Sequence, residues 1–306
     1  MPRALNMDYV GRVNRAIDHI INNVGQPLRL EDVAQVANFS PFHFHRIFKG
    51  LVGETLNAFI KRVRLERAVY LLSHRKNTSL TDVALACGFS SSSDFSRNFR
   101  SHYGVAPRAF DVESFRRSKR GQMLDSLTSP QDRHRLERLP VGENPDGFEV
   151  RLRDLPARRV AYIRVHKPYQ GDGVTEAIAR LMSWARAREL AGGQWLGYQW
   201  DDPEIVALEQ CRYDIGIEVP NTTVGGGEVV TTDFPPMKVA ELELAGPVEL
   251  AQRALDWLFL TWLPQSGFAP AHQPCFEAFK GEPYAHGMTH FELSVHLPVL
   301  DAAVPL

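Results

Sequence analysis

The chain has 306 residues, 44% of them hydrophobic and 23% charged, a balance that suits a globular protein of two domains, each with its own core. No run of about 18 apolar residues exists to span a membrane, MPRALNMDYV is no secretory signal, and Cys87, Cys211 and Cys275 are too few and too scattered for a disulfide or structural zinc framework, so a reducing cytoplasm is expected. The formal net charge of −1 hides an asymmetry, with 19 Lys/Arg against 10 Asp/Glu through Gly121 and 16 against 26 thereafter, which points to different partners for the two parts.

The first part repeats itself. LRLEDVAQVANFSPFHFHRIFKGLVGETL and TSLTDVALACGFSSSSDFSRNFRSHYGVAP share ten residues in order, from Leu30/Leu80 to Gly53/Gly104, the second copy having one extra residue in its serine stretch. Each copy reads as a short helix, a tight turn and a second helix. Asn38 and Gly88 suit the left-handed position that ends the first helix. Ser40 reads as the N-cap and Pro41 as the first residue of the next helix. In that helix Phe44, Ile47, Phe48 and Leu51 point inward, while Phe42, His45, Arg46 and Lys49 fall on the opposite face.

The second copy places Ser93, Ser96, Arg97 and Arg100 at the same spacing, opposite Phe95 and Phe99. Small polar residues at a helix start let its free N–H groups approach phosphates. Between the copies, TLNAFIKRVRLERAVYLLS reads as one helix from about Thr55 to Ser73. At 1.5 Å per residue it spans roughly 28 Å, close to the roughly 34 Å between successive major grooves on one face of DNA.

Residues 10–112, through SPFHFHRIFK, RLERAVYLL, DVALACGFSSSSDFSRNFR and GVAPRAF, resemble the DNA-binding domain of AraC/XylS-type transcriptional regulators, in the MarA/SoxS/Rob branch. The resemblance implies that the helices from Pro41 and from about Ser92 are recognition helices. Phe42, His45 and Arg46 would then approach bases in one groove, and Ser92, Ser93, Ser96 and Arg97 in the next. Lys49 and Arg100 are better placed for phosphate. Phe42 stands where the branch commonly has Trp, and the serines stand where longer amides are common.

Residues 117–146 are polar, charged and without sustained periodicity, and read as a linker with local helix near Arg133–Leu139. Two accounts fit its basic RRSKR, phosphate contacts or a solvated charge run. The expected domains are therefore 1–116, all-α and double helix-turn-helix, and 147–306, α+β.

The α+β part repeats too. DLPARRVAYIRVHKP aligns with DFPPMKVAELELAGP, and YDIGIEVP with FELSVHLP, at offsets of 79 and 78. Alternation in Tyr213, Ile215, Ile217 and Val219 marks a strand, and helices are expected over about Val174–Leu190 and Val248–Leu263. The expectation is two strand-helix-strand-strand units around a pseudo-twofold axis, with a pocket along their seam.

QWLGYQW and HQPCFEAF occupy equivalent strands there, with Tyr198 set opposite Phe276 and Gln199 opposite Glu277. Glu277 shares a face with Cys275 and Phe279. A carboxylate among apolar neighbours needs a cation, a donor or a proton. Two accounts fit, a satisfied structural acid or the counter-charge of a ligand. With Tyr198, Trp200, Tyr213 and Trp262, Glu277 makes an aromatic-lined site suited to a cationic or amphipathic molecule.

Through RRVAYIRVHKPY, CRYDIGIEVP, WLPQSGF, CFEAF and ELSVHLPV, residues 147–299 are similar to GyrI-like, or SbmC-like, effector-binding domains. The resemblance implies a cleft for small hydrophobic or cationic molecules, with Glu277 as its central carboxylate. Some relatives hydrolyse strained electrophilic rings with an acid and a tyrosine, for which Glu277 and Tyr213 are the candidates.

His272, His286, His290 and His296 with Cys275 lack secured ligand geometry and read as scattered surface residues, so no metal is expected. No P-loop, dinucleotide glycine pattern or Ser/His/Asp elbow occurs, and no cofactor is expected. The expected function is a transcriptional regulator that binds duplex promoter DNA, senses a small-molecule effector and alters promoter activity either through RNA polymerase or through domain placement. The alternative is a hydrolase of strained electrophilic molecules joined to a DNA-binding module, with catalysis left open.

Overall fold

Asn38 and Gly88 occupy the left-handed region, with φ of 54° and 77°, and end the first helix of each repeat. A Cβ at Gly88 would stand 2.5 Å from the Val24 carbonyl oxygen, so close packing as well as φ demands glycine there. The computed structural model describes residues 7–75, 78–126, 140–285 and 290–302. The described residues within 1–116 and 225–230 form one compact unit, and those within 117–224 and 231–305 a second.

In the first unit α1 (Met7–Asn22) precedes the repeats, α2 (Leu30–Val36) with α3 (Pro41–Val52) and α5 (Leu80–Ala86) with α6 (Ser92–Tyr103). Between them lies α4 (Leu56–His74), capped by Thr55, whose hydroxyl accepts from the Ala58 N–H. The equivalent helices α3 and α6 are built alike. The Ser40 hydroxyl accepts from the His43 N–H, and that of Ser91 from the Asp94 N–H. Gly53 and Gly104 close them at φ 87° and 80°. A cap of this kind is worth about 1 kcal/mol.

Phe44 and Phe48 on α3, and Phe95 and Phe99 on α6, are fully buried. Phe48 meets Phe59 of α4 edge-on at 5.5 Å, and Phe99 meets Phe110 edge-on at 5.1 Å. Each buried ring contributes roughly 1.5–3 kcal/mol. Within α4, Arg62 is buried but bonded to both Glu54 and Glu66, the pairing a buried charge requires.

After a 3₁₀ turn (Pro107–Ala109), α7 runs over Val112–Ser126, through the start of the stretch read as a linker. Residues 127–139, including the local helix expected near Arg133–Leu139, lie outside the described residues. The stretch just before the first strand is fastened to the second unit. Arg253 holds Asp146 at 2.6 Å, and the Gly142 N–H donates to the Thr261 hydroxyl.

The second unit carries β1 (Arg151–Leu155), β2 (Arg158–His166), α8 (Gly173–Arg186), β3 (Trp195–Gln199) and β4 (Arg212–Val219). The second half repeats this as β5 (Val230–Phe234), β6 (Met237–Gly246), α9 (Val248–Trp257), β8 (Cys275–Phe279) and β9 (Phe291–Asp301), adding the short β7 (Phe268–Pro270). Helix α9 continues through a π-helical turn over Leu258–Trp262 into α10 (Leu263–Ser266).

One nine-stranded sheet results, ordered β1-β6-β9-β8-β3-β4-β2-β5, with β7 on β9. The order reads symmetrically outward from the central β3–β8 pair, as a duplication about a twofold axis demands. Each half also has a short leading strand that the sequence reading did not separate. These are exchanged, β1 pairing with β6 of the other half and β5 with β2.

Candidate functional site

On α3, Phe42, His45, Arg46 and Lys49 are all exposed, Phe42 at 69%. The Arg46 guanidinium lies 5.9 Å from the Phe42 ring centre, and His43 shares this face with its Nδ1 3.2 Å from the Ser40 hydroxyl. On α6, Ser93, Arg97 and Arg100 are exposed, while Ser92 and Ser96 are half-buried. The Arg97 side chain is 81% exposed, with Asp94 at 3.6 Å. The Asp94 carboxylate is otherwise tied to Ser90 and Asn98. Each helix thus presents a capped N-terminus and an exposed arginine at the equivalent position, an arrangement that can meet phosphates with backbone N–H groups and base edges with guanidinium.

Within the basic stretch 116–120, Arg117 is exposed, but the other two arginines differ from both sequence accounts. Arg116 and Arg120 are buried, and Arg120 is ion-paired to Glu204 and Asp256. These two arginines are neither a solvated run nor an exposed phosphate clamp.

In the second unit the β3–β8 register fixes the geometry. Gly197 stands across from Glu277, Tyr198 across from Phe276 and Gln199 across from Cys275. Gln199 therefore reaches Glu277 diagonally, its Nε2 donating to Oε1 at 3.1 Å, while the Tyr213 hydroxyl donates to Oε2 at 2.8 Å. Among the described residues no lysine, arginine or histidine pairs with Glu277. Burial pushes its carboxyl above the usual range, although the two donated hydrogen bonds pull the other way. Burial also pushes the Tyr213 phenol well up, so it remains a proton donor.

Glu277, Tyr213, Gln199 and Cys275 are only half-buried at the centre of the sheet, where strand residues flanked on both sides normally lose solvent contact. This access makes the face around Glu277 the candidate cleft. Gly197 provides its floor, because a Cβ there would collide with the Tyr213 hydroxyl. Cys275 stays a neutral thiol, pushed up to about 12 by burial.

Period-two alternation corrects two of the aromatic candidates. Tyr198, adjacent to Gly197, faces the other side of the sheet from Glu277, where it stacks on Phe234 at 4.6 Å. Trp200 also leaves the cleft, its indole N–H donating to Asp214 at 2.5 Å. Trp262 stacks on Phe268 in the π-helical turn and makes no hydrogen bond to Glu277. The sequence reading missed Tyr284, whose phenol is pushed up by burial and to a lesser extent by Glu277, and Tyr169, in the turn after β2, half-exposed and also subject to the charge of Glu277. Both stand outside regular strands; Tyr169 closed the motif RRVAYIRVHKPY, and Tyr284 offered no signal beyond its residue type.

The sheet face away from Glu277 has its own polar network. The Arg158 guanidinium lies 4.2 Å from the centre of Phe276, which stacks on His296 at 4.4 Å. His296 Nε2 lies 3.2 Å from Glu241, which Arg153 also reaches. His296 is thus a buried partner rather than a surface histidine. His286 lies outside the described residues. Among those described, no cluster of His, Cys, Asp and Glu could hold a metal ion, and no helix is long and apolar enough to cross a membrane.

A helix-turn-helix domain family matches residues 33–112, and a GyrI-like small molecule binding domain family matches residues 148–299. The regulatory protein PocR of Salmonella typhimurium is 36% identical over 99 residues, 32% of this chain and 32% of its own length. The DNA gyrase inhibitor of Edwardsiella piscicida is 31% identical over 158 residues, 48% of this chain and 97% of its own length. A crystal structure of an AraC-type regulator from Chromobacterium violaceum is 32% identical, with a TM-score of 0.30, covering 32% of this chain and 86% of that one. The chain spans about a third of the length of the first curated regulators it matches.

Proposed function

The chain belongs to the AraC-type helix-turn-helix proteins that carry a GyrI-like small molecule binding domain, and on that premise we propose that it is a one-component transcriptional regulator. Helices α3 and α6 read promoter DNA in two successive major grooves. The cleft around Glu277 takes a cationic, amphipathic effector, and its occupancy alters output through RNA polymerase in the cytoplasm.

One observation carries the DNA assignment, the exposure of Arg46 and Arg97 at the same point of two identically capped helices. The effector class rests on a carboxylate held by two neutral donors, Tyr213 and Gln199, with no cation beside it. A charge in that state gains most from a ligand that brings the missing positive charge.

Selection of the full chain against a random duplex pool tests the regulator reading. It should enrich two half-sites about one helical turn apart. A wild-type chain that enriches no sequence refutes it. A thermal-shift screen with hydrophobic cations tests the effector class, since a ligand at 100 times its Kd stabilises by about 2.7 kcal/mol.

A second reading rests on the Tyr213–Glu277 hydrogen bond, an acid beside a phenol, the pair that would open a strained electrophilic ring. Turnover of such compounds by the wild-type chain, abolished in Glu277→Gln, would establish it.

A further inference from the structure

Arg120 lies in the part of α7 that belongs to the second unit, and it is only 6% exposed. Its Nη1 donates to Glu204 at 2.9 Å and its Nη2 to Asp256 on α9 at 2.7 Å. Glu204 is itself 4% exposed and sits at the end of a short segment that starts in the cleft. That segment begins at Gln199, which donates to Glu277. It is then fixed at each step. Trp200 bonds to Asp214, Asp201 takes the guanidinium of Arg212, and the Glu204 N–H donates to Asp202.

We propose that Arg120 is a positioning residue that transmits the state of the Glu277 cleft to α7, and through α7 to the DNA-binding half of the chain. The proposal rests on Glu277 being the ligand-recognising group of the regulator. A ligand that takes either oxygen of Glu277 competes with Gln199 or Tyr213. Releasing the Gln199 side chain removes one tether at the end of β3, where the 199–204 segment begins, and the shift runs along that segment to Glu204. A buried guanidinium cannot replace a lost carboxylate with water at little cost, so Arg120 follows its partner or breaks from it. Either response changes how firmly α7 is held. The physical requirement for coupling, an element whose equilibrium two sites both bias, is met by this helix segment.

The test is hydrogen exchange on the full chain, read at residues 117–126. Glu277→Gln perturbs the cleft without any ligand, and tetraphenylphosphonium, a hydrophobic cation, perturbs it in a second arm. With Arg120 intact, Glu277→Gln should change exchange in 117–126 by about fivefold or more, the lower end of ordinary allosteric coupling. In an Arg120→Met background the same change should leave exchange there unaltered, while tetraphenylphosphonium binding persists. Glu204→Gln, a milder break of the same bond, should uncouple the two in the same way and replaces Arg120→Met if that variant does not fold. An undiminished response in either background, or no response with Arg120 present, overturns the proposal. If tetraphenylphosphonium fails to bind the wild type while Glu277→Gln still moves 117–126 through Arg120, the transmitting role stands and the cationic effector class falls.

Discussion

Gly197 lies directly across from Glu277 in the β3–β8 register, and the space above its Cα is filled by the Tyr213 hydroxyl. The absent side chain is what lets phenol and carboxylate meet. Gly197→Ala forces them apart at a cost of about 1–3 kcal/mol, the usual range for overpacking. It should also weaken hydrophobic-cation binding at least about tenfold, equal to 1.4 kcal/mol. Calorimetric titration and urea unfolding of the variant check both, and unchanged binding would mean that the Tyr213–Glu277 contact does not shape the cleft.

The Glu277 carboxyl, pushed up by burial, holds its proton more tightly in the folded chain than in the unfolded one. Its contribution to stability is therefore complete at low pH and is lost as pH rises through the raised value. Glu277→Gln should stabilise the ligand-free protein at neutral pH and have little effect near pH ~4, where an ordinary carboxyl is largely protonated. Cation affinity should rise with pH in the wild type and fall about 10–100-fold in the variant, within the cost of truncating one side of a buried charge pair. Unfolding curves and titrations at three pH values decide it.

Arg46→Ala and Arg97→Ala should each cost about 1–3 kcal/mol on the selected operator and relax its sequence preference. Lys49→Ala and Arg100→Ala should instead weaken all duplexes alike and lower the salt slope by about one unit each. Competition assays over a salt series separate these effects, and equal losses on specific and random DNA for all four would remove the base-reading roles.

Burial pulls His296 down to about 4, against the upward influence of neighbouring Glu241. The folded chain refuses a proton that the unfolded chain accepts below ~6.5, so this group lowers stability as pH falls from ~6.5 to about 4. His296→Phe retains a ring against Phe276 and removes the titration. Urea midpoints measured from neutral pH downward should fall less steeply in the variant, and parallel curves would contradict the assignment.

Much of the first unit was legible because its signals are local. Asn38, Gly88, Ser40 and Pro41 act within one turn of the chain, and the repeated Phe44/Phe95 and Phe48/Phe99 pairs announce their own burial. Glu277 was also legible, as an acid on an apolar strand. Its surroundings were not. Tyr284 and Tyr169 come under its charge from turns, and Gln199 bonds to it on a diagonal that only the register defines. Tyr198 was misplaced because its position on the neighbouring strand was weighed without the alternation that turns it to the other face. Arg120 read as either solvated charge or a phosphate contact because its partners are 84 and 136 residues further along the chain.

The exchanged leading strands have a consequence for how the second unit comes into being. Residues 151–155 have no neighbour until β6 has been synthesised, and β5 of the later half closes the edge offered by β2 of the earlier one. Neither half is a freestanding module on the ribosome. Sheet closure waits for nearly the whole region to emerge, so truncation at the duplication boundary should yield two aggregation-prone fragments, each with an open strand edge.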